Sequence, residues 1–253
     1  MNERAPFQAS DLEELDARLY SRADRVVPMR DIWKGDIGRN VIGLRHDVDA
    51  ASDAAAEAFE TALAMARWEC DHGYSSTYFL LHGAPYWTTG NLARAMEFEE
   101  LGHEVGLHVN GIAEAFRQKR DPAVIVAEAL AELREFVRVE GCVAHGDPLC
   151  RDSTGRVRFV NDEMFLETQR PDVGDPCRIV THGRVAVPIA PVSRADMGLG
   201  YDANWLPKGN YLSDSGGRWS QRLDDVAEAF GSGQLHVLTH PDWLADAFVG
   251  VPV

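Results

Sequence analysis

Between residues 40 and 148 the chain switches four times between a short apolar run and a longer stretch with helical spacing. "NVIGLRHDVD" begins apolar and ends charged, which predicts a buried strand with a polar tip. Residues 52–72, "SDAAAEAFETALAMARWECDH", place Phe59, Leu63, Ala66 and Cys70 on one helical face, with Gly73 as a stop. "SSTYFLL" is β-branched and aromatic and predicts a second strand. A loop, "GAPYWTTGN", leads to a helix over "LARAMEFEEL", ended by Gly102, and to a third strand, "EVGLHVN". "DPAVIVAEALAELREFVRVEG" predicts a long helix with Pro122 in its first turn and Gly141 at its end, followed by a fourth strand in "CVAHGDP".

Such alternation predicts an α/β fold: a parallel sheet or barrel with helices packed outside it. Beyond residue 150 glycine and proline interrupt short apolar runs ("RFVNDEMF", "RVAVPIAPV", "GNYLSDSGGRW"), which predicts irregular strands and loops at the rim. A helix over "RLDDVAEAF" then leads to a closing strand, "QLHVLTHPDWL". At the other end "SDLEELDARLY" predicts a short surface helix capped by Ser10. The expected organisation is one domain over residues 1–253, with a core at about 40–245 and an N-terminal helical extension over 1–39.

Composition narrows the partners. A formal net charge of −15 disfavours nucleic acid and anionic membrane surfaces, both of which would repel the chain. Cys70, Cys142, Cys150 and Cys177 lack CxxC spacing and are expected as reduced thiols. The first twenty residues are charged and carry no apolar segment, and no run is long enough to span a bilayer, so the expectation is a soluble, cytoplasmic protein without a membrane span.

In parallel α/β folds functional groups collect where strands end. Four strand ends here are polar: "RHDVD", "GLHVN", "AHGDP" and "LTHPDW". Strand side chains alternate, so Asp47 and Asp49 share one face while His46 and Val48 share the other. Two neighbouring carboxylates repel unless a cation lies between them or one holds a proton. Either a divalent metal or Arg45 can meet that need. His108, His145 and His240 occupy equivalent strand ends, whereas His103 after Gly102 reads as a cap or packing residue. Imidazole and carboxylate together suit a zinc ion with a position open to water.

The segments "RHDVD", "STYFLL", "LGHEVGLH", "AHGDP", "YLSDSGGRW" and "LTHPDWL" come in an order that resembles polysaccharide deacetylase-like proteins, within carbohydrate esterase family four. The likeness spans roughly residues 40–245 and looks closest to a branch associated with bacterial surface-polysaccharide, including lipopolysaccharide, biosynthesis. It implies a distorted (β/α) barrel and a hydrolase of linear C–N bonds that removes an N-acyl group, acetyl or formyl, from an amino sugar. Zinc or another divalent metal would be the cofactor, and the expected cytoplasmic location points to a nucleotide- or lipid-linked sugar as the substrate. Asp47 takes the position of catalytic base, Asp49 and His108 those of metal ligands, and His240 that of general acid. The family's second motif usually has a further histidine four residues after the first, where this chain has Ile112. His145 is the leading replacement, with Asn110 and Asp147 as weaker ones. Arg45, Trp87 (beside Tyr86), Asp214 and Trp219 are candidates for the substrate rim, although "SDSGG" also reads simply as a turn. Two other readings use the same residues: a hydrolase of a non-sugar amide, and a non-catalytic carbohydrate-binding protein with a degenerate metal site.

Overall fold

Apolar residues alternate between two faces along the central strand, and this alternation sets the layers of the molecule. The computed structural model describes residue 7 and residues 9–35, 38–49, 55–168, 178–207, 209–230 and 233–248. In chain order the elements are α1 (Ala9–Arg18), β1 (Arg25–Pro28), α2 (Met29–Lys34), β2 (Val41–Val48), α3 (Ala55–Asp71), β3 (Thr77–Leu81), α4 (Thr89–Arg94) and α5 (Met96–Glu100). They continue as β4 (Glu104–Val109), α6 (Gly111–Gln118), α7 (Pro122–Arg134), β5 (Val139–Ala144), β6 (Arg178–His182) and β7 (Val185–Ile189). The last are β8 (Tyr201–Asp202), β9 (Asn210–Ser213), α8 (Leu223–Phe230) and β10 (Gln234–Thr239).

The main sheet runs β8-β5-β4-β3-β2-β10-β9 with every pairing parallel, as the alternation of strands and helices requires. β1 pairs with the first half of β2, on the edge whose second half pairs with β3. The sheet is curled. Arg45 in β2 hydrogen-bonds Asn204, just past β8, although β8 lies four strands away in sheet order. In a flat sheet that separation would be roughly 19 Å, beyond the reach of an arginine. Among the described residues β8 and β9 end the sheet without pairing to each other, so the architecture is a partial (β/α) barrel. Among the described residues no helix is long and apolar enough to cross a membrane.

On the outer face Ile42, Leu44 and Val48 of β2 join Tyr78, Leu80, Val105, Leu107 and the helices in the larger core. His46 faces the same way but is fully buried between Thr239 and Glu69 of α3, at 2.6 and 2.7 Å. Ser76 and Tyr78 also donate to Glu69, and His103 accepts from the Ser76 amide while its Nε2 meets the Ala66 carbonyl. Burial alone would raise the Glu69 pKa, but His46 outweighs it and holds the carboxyl below its ordinary value. On the inner face Val41, Phe79, Val143 and Tyr201 pack with Met29 and Ile32 of α2 and plug the base of the barrel. Glycine clears that space: a Cβ on Gly106 would lie 2.4 Å from the Phe79 ring, and one on Gly141 would lie 2.2 Å from Tyr201.

Several boundaries differ from expectation. The first 39 residues are not only helical, since β1 joins the sheet. The long helix stops at Arg134, and "VRVEG", expected as its last turn, enters β5, where Val139 pairs with Val105. β-Branched valines at 137 and 139 fit a pleated strand better than a helix end. The stretch after Asn110 forms α6, and residues 178–189 form an antiparallel hairpin. The expected helix start at Ser52 and Cys177 lie outside the described residues; Cys70, Cys142 and Cys150 are free thiols.

Gly106→Ala should therefore destabilise the protein by roughly 1–3 kcal/mol, because Phe79 must leave its rotamer or the strands must part. Urea unfolding of the variant beside wild type measures this directly.

Candidate metal centre

Alternation along β2 continues past its end, and Arg45, Asp47 and Asp49 line the inner face above the apolar plug. Asp49 Oδ1 lies 3.1 Å from His108 Nε2, at the end of β4, and 3.0 Å from His145 Nδ1, just after β5. The two imidazole nitrogens are 3.2 Å apart. Register fixes this meeting: β4 pairs with both β3 and β5, and the His145 amide continues the ladder to the Val109 carbonyl at 2.9 Å. His108 is buried, and its Nδ1 lies 3.1 Å from the Val143 carbonyl, so Nδ1 carries the hydrogen and a neutral ring turns the Nε2 lone pair toward the cluster.

Asp49, His108 and His145 thus form a group able to hold a metal ion. The donors fit one: atoms bound 2.0–2.1 Å from a tetrahedral zinc lie roughly 3.3 Å apart, close to the three separations here. Electrostatics agrees. Burial pushes the Asp49 pKa up, but hydrogen bonds and charge from His108 and His145 outweigh it and hold the carboxyl far below the usual range. Burial works against a charged His108, yet Asp47 and Asp49 raise its pKa, so the cluster attracts positive charge.

Two further groups flank the three donors. Asp47 Oδ2 is 3.9 Å from His108 Nε2, and its Oδ1 is 3.5 Å from Arg45 Nε. On the other side His240 Nε2 stands 3.9 Å from Asp49 Oδ2. His240 follows β10, and Asp214, after β9, holds it twice: Oδ1 meets Nδ1 at 2.6 Å and Oδ2 accepts its backbone amide at 2.9 Å. Burial would lower the His240 pKa, but the Asp214 carboxylate raises it to about 9, so the imidazole is protonated at neutral pH.

No protein-family model, curated protein or solved structure matches this chain. The site must therefore be judged on its own geometry.

The structure brings Asp47, Asp49, His108, His145 and His240 together and gives other surroundings to the rest. Arg45 is buried; both Nη atoms donate to Asn204 and Nε faces Asp47, so its charge balances the carboxylates and is not offered at an open surface. Asp214, expected at the substrate rim, has no exposed surface and lies beneath His240. Trp87 donates its indole N–H to Glu132 of α7, and Trp219 lies tilted against Phe7 with ring centroids 5.0 Å apart; no ring contact or hydrogen bond joins either to the cluster among the described residues. Tyr86 is a brace: its buried hydroxyl donates to the Val48 carbonyl and accepts from the Leu81 amide, fixing the backbone that carries Asp49.

Asn110 and Asp147, the weaker candidates, are engaged with each other and with neighbouring groups. Asn110 Nδ2 donates to Asp147 Oδ2, which also receives Arg117, while Asp147 Oδ1 caps Leu149. Ile112 is buried in the core at the start of α6. Sequence reasoning missed Asn161, which donates to Asn110 and to the His145 carbonyl and accepts from the Ile112 and Ala113 amides. It also missed His82, whose Nε2 accepts from the Asn110 amide; burial, then His108 and His145, lower its pKa to about 3 and keep it neutral. Nothing in local sequence marks either residue, since the links to Asn110 and His145 span 16 or more positions.

Asp202 lies behind Asn204, with one oxygen accepting the Asn204 amide. Burial and then the Asp162 carboxylate raise its pKa from 3.8 to about 7. The fold favours the neutral acid, so Asp202 costs no stability below pH 4; the penalty grows as pH rises from about 4 to 7 and levels off above that. Asp202→Asn should match wild type at pH 4 and exceed it by roughly 2–4 kcal/mol at pH 8, measured by urea unfolding in EDTA.

Proposed function

We propose that this protein is a metal-dependent deacylase that hydrolyses the N-acyl group of an amino sugar. The observation that carries this reading is the placement of an acid–base pair around a three-donor cluster: Asp47 beside His108 and His240 beside the far oxygen of Asp49. A binding protein needs neither a carboxylate held next to a cation site nor a histidinium aimed at it from the other side. The resemblance to polysaccharide deacetylase-like proteins supports the same reading and suggests a nucleotide- or lipid-linked sugar in surface-polysaccharide synthesis.

Zinc held by Asp49, His108 and His145 would polarise the acyl carbonyl and acidify water. Asp47 is suited to take the proton of that water as its oxygen adds to the carbonyl carbon. Arg45 Nε faces Asp47 at 3.5 Å without capping it: among the described residues Asp47 Oδ1 takes no hydrogen bond. His240 enters the reaction protonated and gives its Nε2 proton to the departing nitrogen, releasing an amine and a carboxylic acid. Asp214 holds the ring through Nδ1, leaves Nε2 facing the site and stabilises the charge on the imidazolium.

Asp47→Asn should lower deacylation of N-acylglucosamine substrates by about 10²–10⁴-fold, read as released primary amine, with zinc content and melting temperature unchanged. Activity within tenfold of wild type would remove Asp47 from the role of base.

A further inference from the structure

Beside His145 the structure has a cavity of about 150 Å³, walled by Cys150, Val157, Val160, Asp162 and Asn204. It lies on one side of the cluster. His145 approaches Oδ1 of Asp49, whereas His240 approaches Oδ2, and the two histidines follow β5 and β10, on opposite sides of β2 in the sheet order. If His240 protonates the leaving nitrogen, the sugar lies toward β10 and the remainder of the acyl group points the other way, toward this cavity.

The cavity is too large for the methyl of an acetyl group or the hydrogen of a formyl group. An engineered apolar cavity of this volume accepts benzene, so there is room for about six non-hydrogen atoms. Its walls are mixed. Val157, Val160 and Cys150 are apolar. Asn204 Oδ1 is held by Arg45, which fixes the amide orientation, and Nδ2 meets no acceptor among the described residues. Asp162 lines the cavity as a charged wall, with Oδ1 enclosed and Oδ2 anchored by the Trp205 indole at 2.9 Å. The Asn204 amide donor matches the oxygen of a neutral hydroxyl, while the Asp162 carboxylate would repel an acidic group. Arg151 at the rim donates to the Gly155 carbonyl.

We propose that the acyl group removed is longer than acetyl: a short, neutral, hydroxylated chain of about four carbons, seated between Val157, Val160, Asp162 and Asn204. This rests on the deacylase reading and names its substrate class. Val160 and Val157 set the chain length, Asn204 selects the hydroxyl, and Asp162 excludes an acidic chain.

Hydroxamic acids test this without knowledge of the sugar, because the head group chelates zinc and the acyl chain follows the path of the substrate's acyl chain. Zinc-loaded protein is titrated calorimetrically with acetohydroxamic, butyrohydroxamic and 3-hydroxybutyrohydroxamic acid. The 3-hydroxybutyryl compound should bind at least tenfold tighter than the acetyl one, with the butyryl compound between them. Val160→Phe fills the cavity, and Val157→Trp does so from an exposed position that tolerates the change. Either should cut the gain to less than threefold and leave acetohydroxamate unchanged. Equal affinities along the series in wild type, or a gain that survives both variants, would overturn the acyl cavity while the metal site stands. Binding of none of the three would overturn the metal-site reading, and the cavity proposal with it.

Discussion

Asp49 is a carboxylate set at the mouth of a half-barrel and held far below its usual pKa, and the rest of the site answers that one constraint. An ionised group there must be met by positive charge or by donors. His108 and His145 reach one of its oxygens and His240 stands near the other, each delivered by a different strand. Parallel pairing makes this convergence possible, because it brings the C-terminal ends of β2, β4, β5 and β10 to the same edge. The three donors so gathered could hold a metal ion.

Rigidity comes from behind the site. On the outer face His46 is locked between Glu69 and Thr239, so the strand carrying Asp47 cannot rotate without breaking a buried polar network. Tyr86 pins the Val48 carbonyl, Asn161 ties the His145 carbonyl to Asn110 and α6, and Asp214 grips His240. Such supports matter because a metal or catalytic group displaced by an ångström loses most of its value. They also explain how the cluster forms with Ile112 where the resembling family has a histidine. That position lies in the first turn of α6, buried against the core, whereas His145 extends the β5 ladder and reaches the same point from the neighbouring strand.

Much of this was legible in the chain. Period-two alternation in "NVIGLRHDVD" placed Asp47 and Asp49 on one face and His46 on the other, as found. Charged ends after apolar runs marked the strand termini that meet at the site. What local pattern could not show was contact over distance. Asp214 is expected at the substrate rim, yet β9 lies beside β10 and carries it under His240. Trp87 looked available for stacking until α7 supplied Glu132 as a partner. Valines at the end of a helical pattern hid the start of β5, and β1 was missed because it is short and pairs with only half of β2.

The most direct test of the account is the metal content of the purified protein, wild type beside His145→Ala, after exhaustive dialysis against zinc-containing and then metal-free buffer. The account predicts close to one zinc per chain in wild type and at least a tenfold loss of zinc affinity in the variant. Wild-type protein that retains no zinc, or a variant that holds it as tightly, would contradict the central claim that Asp49, His108 and His145 form a metal centre.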